Sequence, residues 1–148
     1  MTPFKKILVP VDLSANTTEV LRYAADLSRR CEAPLTLVHV YQPVAYPLPE
    51  GFVLYSAEQL ANMLTEFQHL LAKAKTDAET AGATNVETRM LQGAAFAEII
   101  QCATEGHFDL IVMGTHGRKG LRHALLGSVA EKVVRMAQCP VLTVRSTE

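Results

Sequence analysis

Apolar positions along this chain alternate between two rhythms. Short segments, the mostly apolar Ile7 to Val11, Leu35 to Val40, Asp109 to Met113 and Val141 to Val144 and the more mixed Val86 to Leu91, have the length and residue types of strands. Between them the spacing becomes helical. Val20, Leu21, Ala24, Leu27 and Cys31 share one face of a helix that Asn16 or Thr17 can cap. Ser56 with Gln59 opens a longer helix as a capping box, and Leu60, Met63, Leu64, Phe67, Leu70, Leu71, Ala74 and Ala78 make its stripe, which ends near Gly82. Helices are also predicted over Ala94 to Glu105 and Ser128 to Ala137. Tyr41 to Tyr55, with Pro43, Pro47, Pro49 and Gly51, reads as irregular. Strands and helices taking turns in this way predict an α/β fold, a parallel sheet with helices on both faces.

Composition narrows the class without naming a function. The 148 residues suit a single domain spanning 1–148, 49% of them are apolar, and the net charge is −1. A balanced charge leaves no general nucleic-acid footprint, and no apolar run reaches the length of a membrane span. The start, Met1-Thr2-Pro3-Phe4-Lys5-Lys6, lacks the apolar core of a secretory signal. The expectation is therefore a soluble cytoplasmic protein with neither nucleic acid nor membrane as partner. Cys31, Cys102 and Cys139 are isolated and read as reduced, mostly buried thiols, while His39, His69, His107 and His123 lack metal-ligand spacing and read as structural or exposed.

Chemistry concentrates after the fourth strand. The strand ends in Gly114, Thr115-His116-Gly117 follow, and nine residues later Gly127-Ser128 opens a helix. Gly114 and Gly117 would let backbone pass close to a bulky anion, where a Cβ would clash. Arg118, Lys119 and Arg122 lie between Gly114 and Leu126 with no acidic residue among them. Ser128 with Glu131 has capping-box spacing, and the helix it opens would offer free N–H groups and a positive dipole end. A Walker loop is excluded because Ser128, not Lys, follows Gly127, and the dinucleotide fingerprint is missing after the first strand, where Val11-Asp12-Leu13-Ser14 stands.

The spacing G-x-x-G, nine residues, G-[ST] resembles the nucleotide-binding signature of the universal stress protein family, in its ATP-binding branch. Flanking segments extend the resemblance over nearly the whole chain: Lys5 to Ser14 with its acidic tip, Leu35-Thr36-Leu37-Val38-His39-Val40, Gly93 followed by Glu98-Ile99-Ile100, and Cys139-Pro140-Val141-Leu142-Thr143-Val144. It implies a Rossmann-like open sheet of five parallel strands in the order 3-2-1-4-5. The crevice between strands 1 and 4 is then the topological switch point where such sheets bind ligands.

Carried over residue by residue, the resemblance implies an ATP site. Pro10, Val11 and Asp12 line the adenosine pocket, the Val40 backbone contacts adenine, and Met113 presents an edge to the ribose. Gly114, Thr115, His116, Gly117, Arg118, Gly127, Ser128, Val129 and Ala130 surround the phosphates, with Mg²⁺ as an optional companion. It also implies a homodimer paired through the last strand, Val141 to Val144, which would otherwise be an open apolar edge.

Each residue also has a plainer role. Asp12 could be a turn or capping acid, Gly114 and Gly127 turn glycines, Val40 and Met113 core, and Arg118 and Lys119 a solvated loop. Ser128 could serve first as a helix cap and turn to phosphate only with ligand present. The function the whole implies is a nucleotide-responsive regulatory or stress-tolerance factor. The alternatives are a slow ATPase or adenylyl-transfer enzyme, and a nucleotide-free dimerisation module. No catalytic residue is assigned, since His116 has no evident orienting partner in the sequence.

Overall fold

A computed structural model describes residues 4–49, 51–116 and 126–145. Its elements are β1 (Ile7–Pro10), α1 (Thr17–Cys31), β2 (Pro34–Tyr41), β3 (Val44–Leu48), β4 (Gly51–Leu54), α2 (Ala57–Thr80), β5 (Thr84–Gln92), α3 (Ala95–Glu105), β6 (Leu110–Gly114), α4 (Ser128–Met136) and β7 (Val141–Val144). The main sheet has the order β5-β2-β1-β6-β7, every neighbouring pair parallel, which is the predicted 3-2-1-4-5 order of its five strands.

Alternation along the central strands divides the core in two. Ile7, Val9, Leu35, Leu37, Leu110 and Val112 pack with Val20, Leu21 and Ala24 of α1 and Leu71, Ala74 and Ala78 of α2. Leu8, Val38, Ile111 and Met113 point the other way, onto Ile99 and Cys102 of α3 and Ala130 and Val133 of α4. Strands buried on both faces read as continuous apolar runs, which is why they were visible in the sequence. Cys31 and Cys102 are buried, Cys139 is half-buried, and all three are free thiols. Burial pushes the Cys102 and Cys139 thiols above their usual range, so both resist forming the reactive thiolate. Among the described residues, no helix is long and apolar enough to cross a membrane.

Polar groups fasten the strand starts. Asp109 accepts the backbone N–H groups of Lys5 at 2.8 Å and Lys6 at 3.0 Å, holding β1 beside β6. Ser28, fully buried on α1, donates to the Ala33 carbonyl at 2.6 Å and accepts the Thr84 N–H at 3.0 Å, linking α1 to the starts of β2 and β5. Ser28→Ala removes both bonds, leaving the Ala33 carbonyl with the Thr84 hydroxyl at 3.4 Å, and is expected to cost about 1 kcal/mol. Urea unfolding with an unchanged m-value would register that loss as a lower midpoint.

The structure departs from the sequence expectations in the Tyr41 to Tyr55 segment and at the start of α4. Tyr41 to Tyr55 is not irregular, because β3 and β4 pair as an antiparallel hairpin, Leu48 opposite Gly51 and Val44 opposite Leu54. Gly51, at φ 133, supplies backbone that other residues rarely adopt. A two-stranded ribbon has only edge strands, so Pro47 sits in it without breaking a central ladder. The capping box of α2 forms as expected, with Ser56 accepting the Gln59 N–H and the Gln59 side chain accepting the Ser56 N–H. That of α4 does not: Gly127 is the N-cap and has no side chain to cap the helix. Glu131 pairs instead with Arg135 at 3.3 Å.

Candidate functional site

The chain leaves β1 toward α1 on one face of the sheet and leaves β6 toward α4 on the other, so a crevice opens between the two strand ends. A cavity of about 140 Å³ lies there. It is well above the roughly 10–15 Å³ that houses one water. Pro10, Val11, Asp12, Val40, Met113, Gly114, His116, Val129 and Ala130 all line it, so residues chosen from distant parts of the sequence do meet. Gly127 and Ser128 directly precede the two α4 residues of the wall. Gly117 and Arg118, with Lys119, Arg122 and His123, lie outside the described residues.

One wall is the turn after β1. Asp12 Oδ1 accepts hydrogen bonds from the Ser14 N–H at 3.0 Å, the Ser14 hydroxyl at 2.7 Å and the Thr17 hydroxyl at 3.4 Å. The plain role of Asp12 as a turn acid is therefore real, and it coexists with a place in the cavity wall. Leu13 takes φ 62, a region a non-glycine residue seldom enters, and is held there by burial.

The opposite wall is the end of β6. Thr115 is buried, its N–H donates to the Val144 carbonyl at 3.0 Å, and its carbonyl accepts the Gly127 N–H at 2.6 Å. That last bond decides where α4 begins. Gly127, at φ −69 and ψ 167, is extended, and its carbonyl accepts the first helical bond, from the Glu131 N–H at 2.9 Å. Ser128 is thus already helical and cannot reach back as a cap, which explains the failed capping box. Glycine at the cap has no side chain to cover the first N–H groups of α4. Gly114 is not required by the protein's own packing either. Its φ is not left-handed, and a Cβ there would meet Val20 Cγ2 at an ordinary 3.5 Å.

The floor toward β2 offers backbone. Tyr41 accepts the Gly93 N–H on the β5 side at 3.0 Å, and Val38 accepts the Val11 N–H on the β1 side at 2.9 Å. Successive residues of a strand face opposite neighbours, so Val40 turns its N–H and C=O toward the β1 side, beyond the end of β1 at Pro10.

Comparison with known proteins fits this geometry. A profile of the universal stress protein family matches residues 3–145. The chain belongs to that family. It is 39% identical over 145 residues to universal stress protein MJ0531 of Methanocaldococcus jannaschii, covering 96% of this chain and 82% of that protein. Among solved structures, a universal stress protein in complex with cAMP superposes with a TM-score of 0.75 at 25% identity, covering 96% of this chain and 97% of the other. The universal stress protein of Archaeoglobus fulgidus in complex with dAMP gives a TM-score of 0.69 at 26% identity, covering 97% of this chain and 98% of the other.

Several wall residues of this universal stress protein escaped the sequence reading. Asn16, Thr17 and Val20 of the α1 start, Val38 of β2, and Ala95 and Ile99 of α3 all line the cavity, each with the look of a cap or core residue in sequence. His39 is the most informative of them. It is buried, packs its ring 4.5 Å from that of Phe67, and places Nδ1 2.9 Å from the Val11 carbonyl. Among the described residues, no group of three or more His, Cys, Asp or Glu side chains could hold a metal ion by itself.

Proposed function

We propose that this protein is an ATP-binding universal stress protein, a homodimer paired through β7 that responds to nucleotide as a regulatory or stress-tolerance factor. The observation that carries this reading is the meeting in one cavity of three things a nucleotide needs. Apolar walls from Val38, Val40, Ile99 and Met113 suit a base, the Val40 backbone edge suits its polar rim, and the glycine-capped start of α4 suits its phosphates. The cAMP and dAMP bound by two proteins of the same fold support adenine as the base.

Adenine presents an acceptor at N1 and a donor at N6, matching the N–H and C=O of Val40, whereas guanine presents the reverse. Selectivity for adenine thus needs no diagnostic side chain. Asp12 stands at the turn where a ribose would lie, and Gly114 and Gly127 would bracket the phosphates, with Gly117 and Arg118 between them in the sequence. His116 shares a hydrogen bond with the Thr115 hydroxyl at 3.0 Å and lines the cavity, which suits contact with phosphate.

Calorimetric titration of Mg-ATP into nucleotide-stripped protein, with GTP as control, tests the proposal. The expected result is saturable binding near one ATP per chain at micromolar affinity, with GTP at least tenfold weaker. Absence of heat from folded protein would overturn it in favour of a nucleotide-free module.

A further inference from the structure

The β1–β2 ladder ends with β1 at Pro10, while β2 runs on to Tyr41. It runs in register from Ile7 opposite Leu35 to Pro10 opposite Val38, and closes with the Val11 N–H on the Val38 carbonyl at 2.9 Å. In a parallel ladder the next bond would run from the Val40 N–H to the Val11 carbonyl. That carbonyl instead faces His39 Nδ1 at 2.9 Å. A carbonyl can only accept, so Nδ1 carries the proton and donates. The imidazole is kept in place by burial and by the Phe67 ring, tilted 60° against it.

We infer that His39 is a positioning residue: by occupying the Val11 carbonyl it ends the β1–β2 ladder and keeps the Val40 N–H turned into the cavity as the donor that selects adenine over guanine. The inference rests on the nucleotide reading above for its ligand, but not for its geometry. The side chain sits on the α1–α2 face of β2, while the donor it releases serves the cavity from the strand edge. A guanine N1–H would oppose this donor and leave both groups unpaired in a confined site, which is where discrimination is large.

His39→Phe keeps a ring against Phe67 and removes the donor, so the Val11 carbonyl becomes available to Val40. Amide hydrogen exchange followed by NMR in nucleotide-free protein reads this directly. Exchange at Val40 is expected to slow at least tenfold in H39F relative to the unsubstituted protein, as the ladder gains a rung. ATP affinity is expected to fall about tenfold, the worth of one such hydrogen bond, and the preference for ATP over GTP to narrow by a similar factor. His39→Asn, whose amide nitrogen can stand near the Nδ1 position, is expected to restore both.

Equal Val40 exchange in H39F and the unsubstituted protein would overturn the inference, as would lost affinity with selectivity unchanged. If H39F does not fold, ¹⁵N–¹H spectra of the unsubstituted protein still decide, since an unprotonated Nδ1 at His39 contradicts the geometry. Should the unsubstituted protein bind no ATP, the nucleotide reading falls, and Val40 exchange continues to test His39 separately.

Discussion

Gly127→Asp is expected to make the protein more stable and unable to bind ATP. The residue at a helix N-cap holds its side chain over the N–H groups of the second and third helical positions, here Val129 and Ala130, both in the cavity wall. Glycine leaves them uncovered. Aspartate would accept those N–H groups, complement the helix dipole and reduce the freedom of the unfolded chain, together worth roughly 1 kcal/mol of stability. The backbone at 127 is extended and accommodates any residue, and its N–H stays on the Thr115 carbonyl.

The same carboxylate would occupy the place of a phosphate and repel it. Affinity for ATP should fall at least a hundredfold. Gly127→Val, which covers the donors with methyl groups and adds no charge, should also abolish binding, at a cost of only about 0.5 kcal/mol in stability, because valine caps less well than glycine. Paired thermal melts and titrations make the test, and the opposite signs are its strength. A mutation that merely damages the fold lowers both quantities. Unchanged ATP affinity in either variant would show that the start of α4 holds no phosphate.

The parts of this molecule that were legible in sequence are those decided by local pattern. Ile7 to Val9 and Leu110 to Met113 are buried on both faces, so their apolar runs announce central strands. Ser56 and Gln59 form their box because both partners lie within one helical turn. What escaped was decided from a distance. Ser128 and Glu131 have the same spacing, yet the Thr115 carbonyl takes the Gly127 N–H and sets the helix start one residue earlier than the box requires. His39 looks like a core residue with a polar atom to satisfy, and its partner Val11 lies 28 positions away. The prolines at 43, 47 and 49 argued against any strand, a rule that applies to central strands and not to an isolated ribbon. The crevice itself could be anticipated, because Asp12 and Gly114 end strands that the resemblance placed side by side.

Thr143→Pro is expected to turn the proposed homodimer into a folded monomer. The β7 strand is the last of the sheet. On its inner side the Pro140 carbonyl accepts the Ile111 N–H and the Val144 carbonyl accepts the Thr115 N–H, both at 3.0 Å. Alternation therefore turns the N–H and C=O of Val141 and Thr143 outward, away from β6. Leu142 is 37% exposed, and on α4 Val134 and Met136 are 45% and 52% exposed, so apolar surface accompanies this open edge. Such an edge invites pairing, and a two-fold axis across β7 would satisfy it with a second copy of itself.

Proline at 143 removes one outward donor per protomer and places a ring in the pairing plane, while the bonds to β6 remain. Proline with its nitrogen facing solvent is tolerated on an edge strand, so the isolated protomer should keep its fold and its melting temperature should move little. Two lost hydrogen bonds and the added bulk should weaken dimerisation about a hundredfold or more. Thr143→Val, which retains the N–H and the β-branched shape, should remain dimeric. Analytical ultracentrifugation across a concentration series separates the outcomes. A dimer that survives T143P has its interface elsewhere, and an unsubstituted protein that is monomeric at micromolar concentration leaves the β7 edge unpaired.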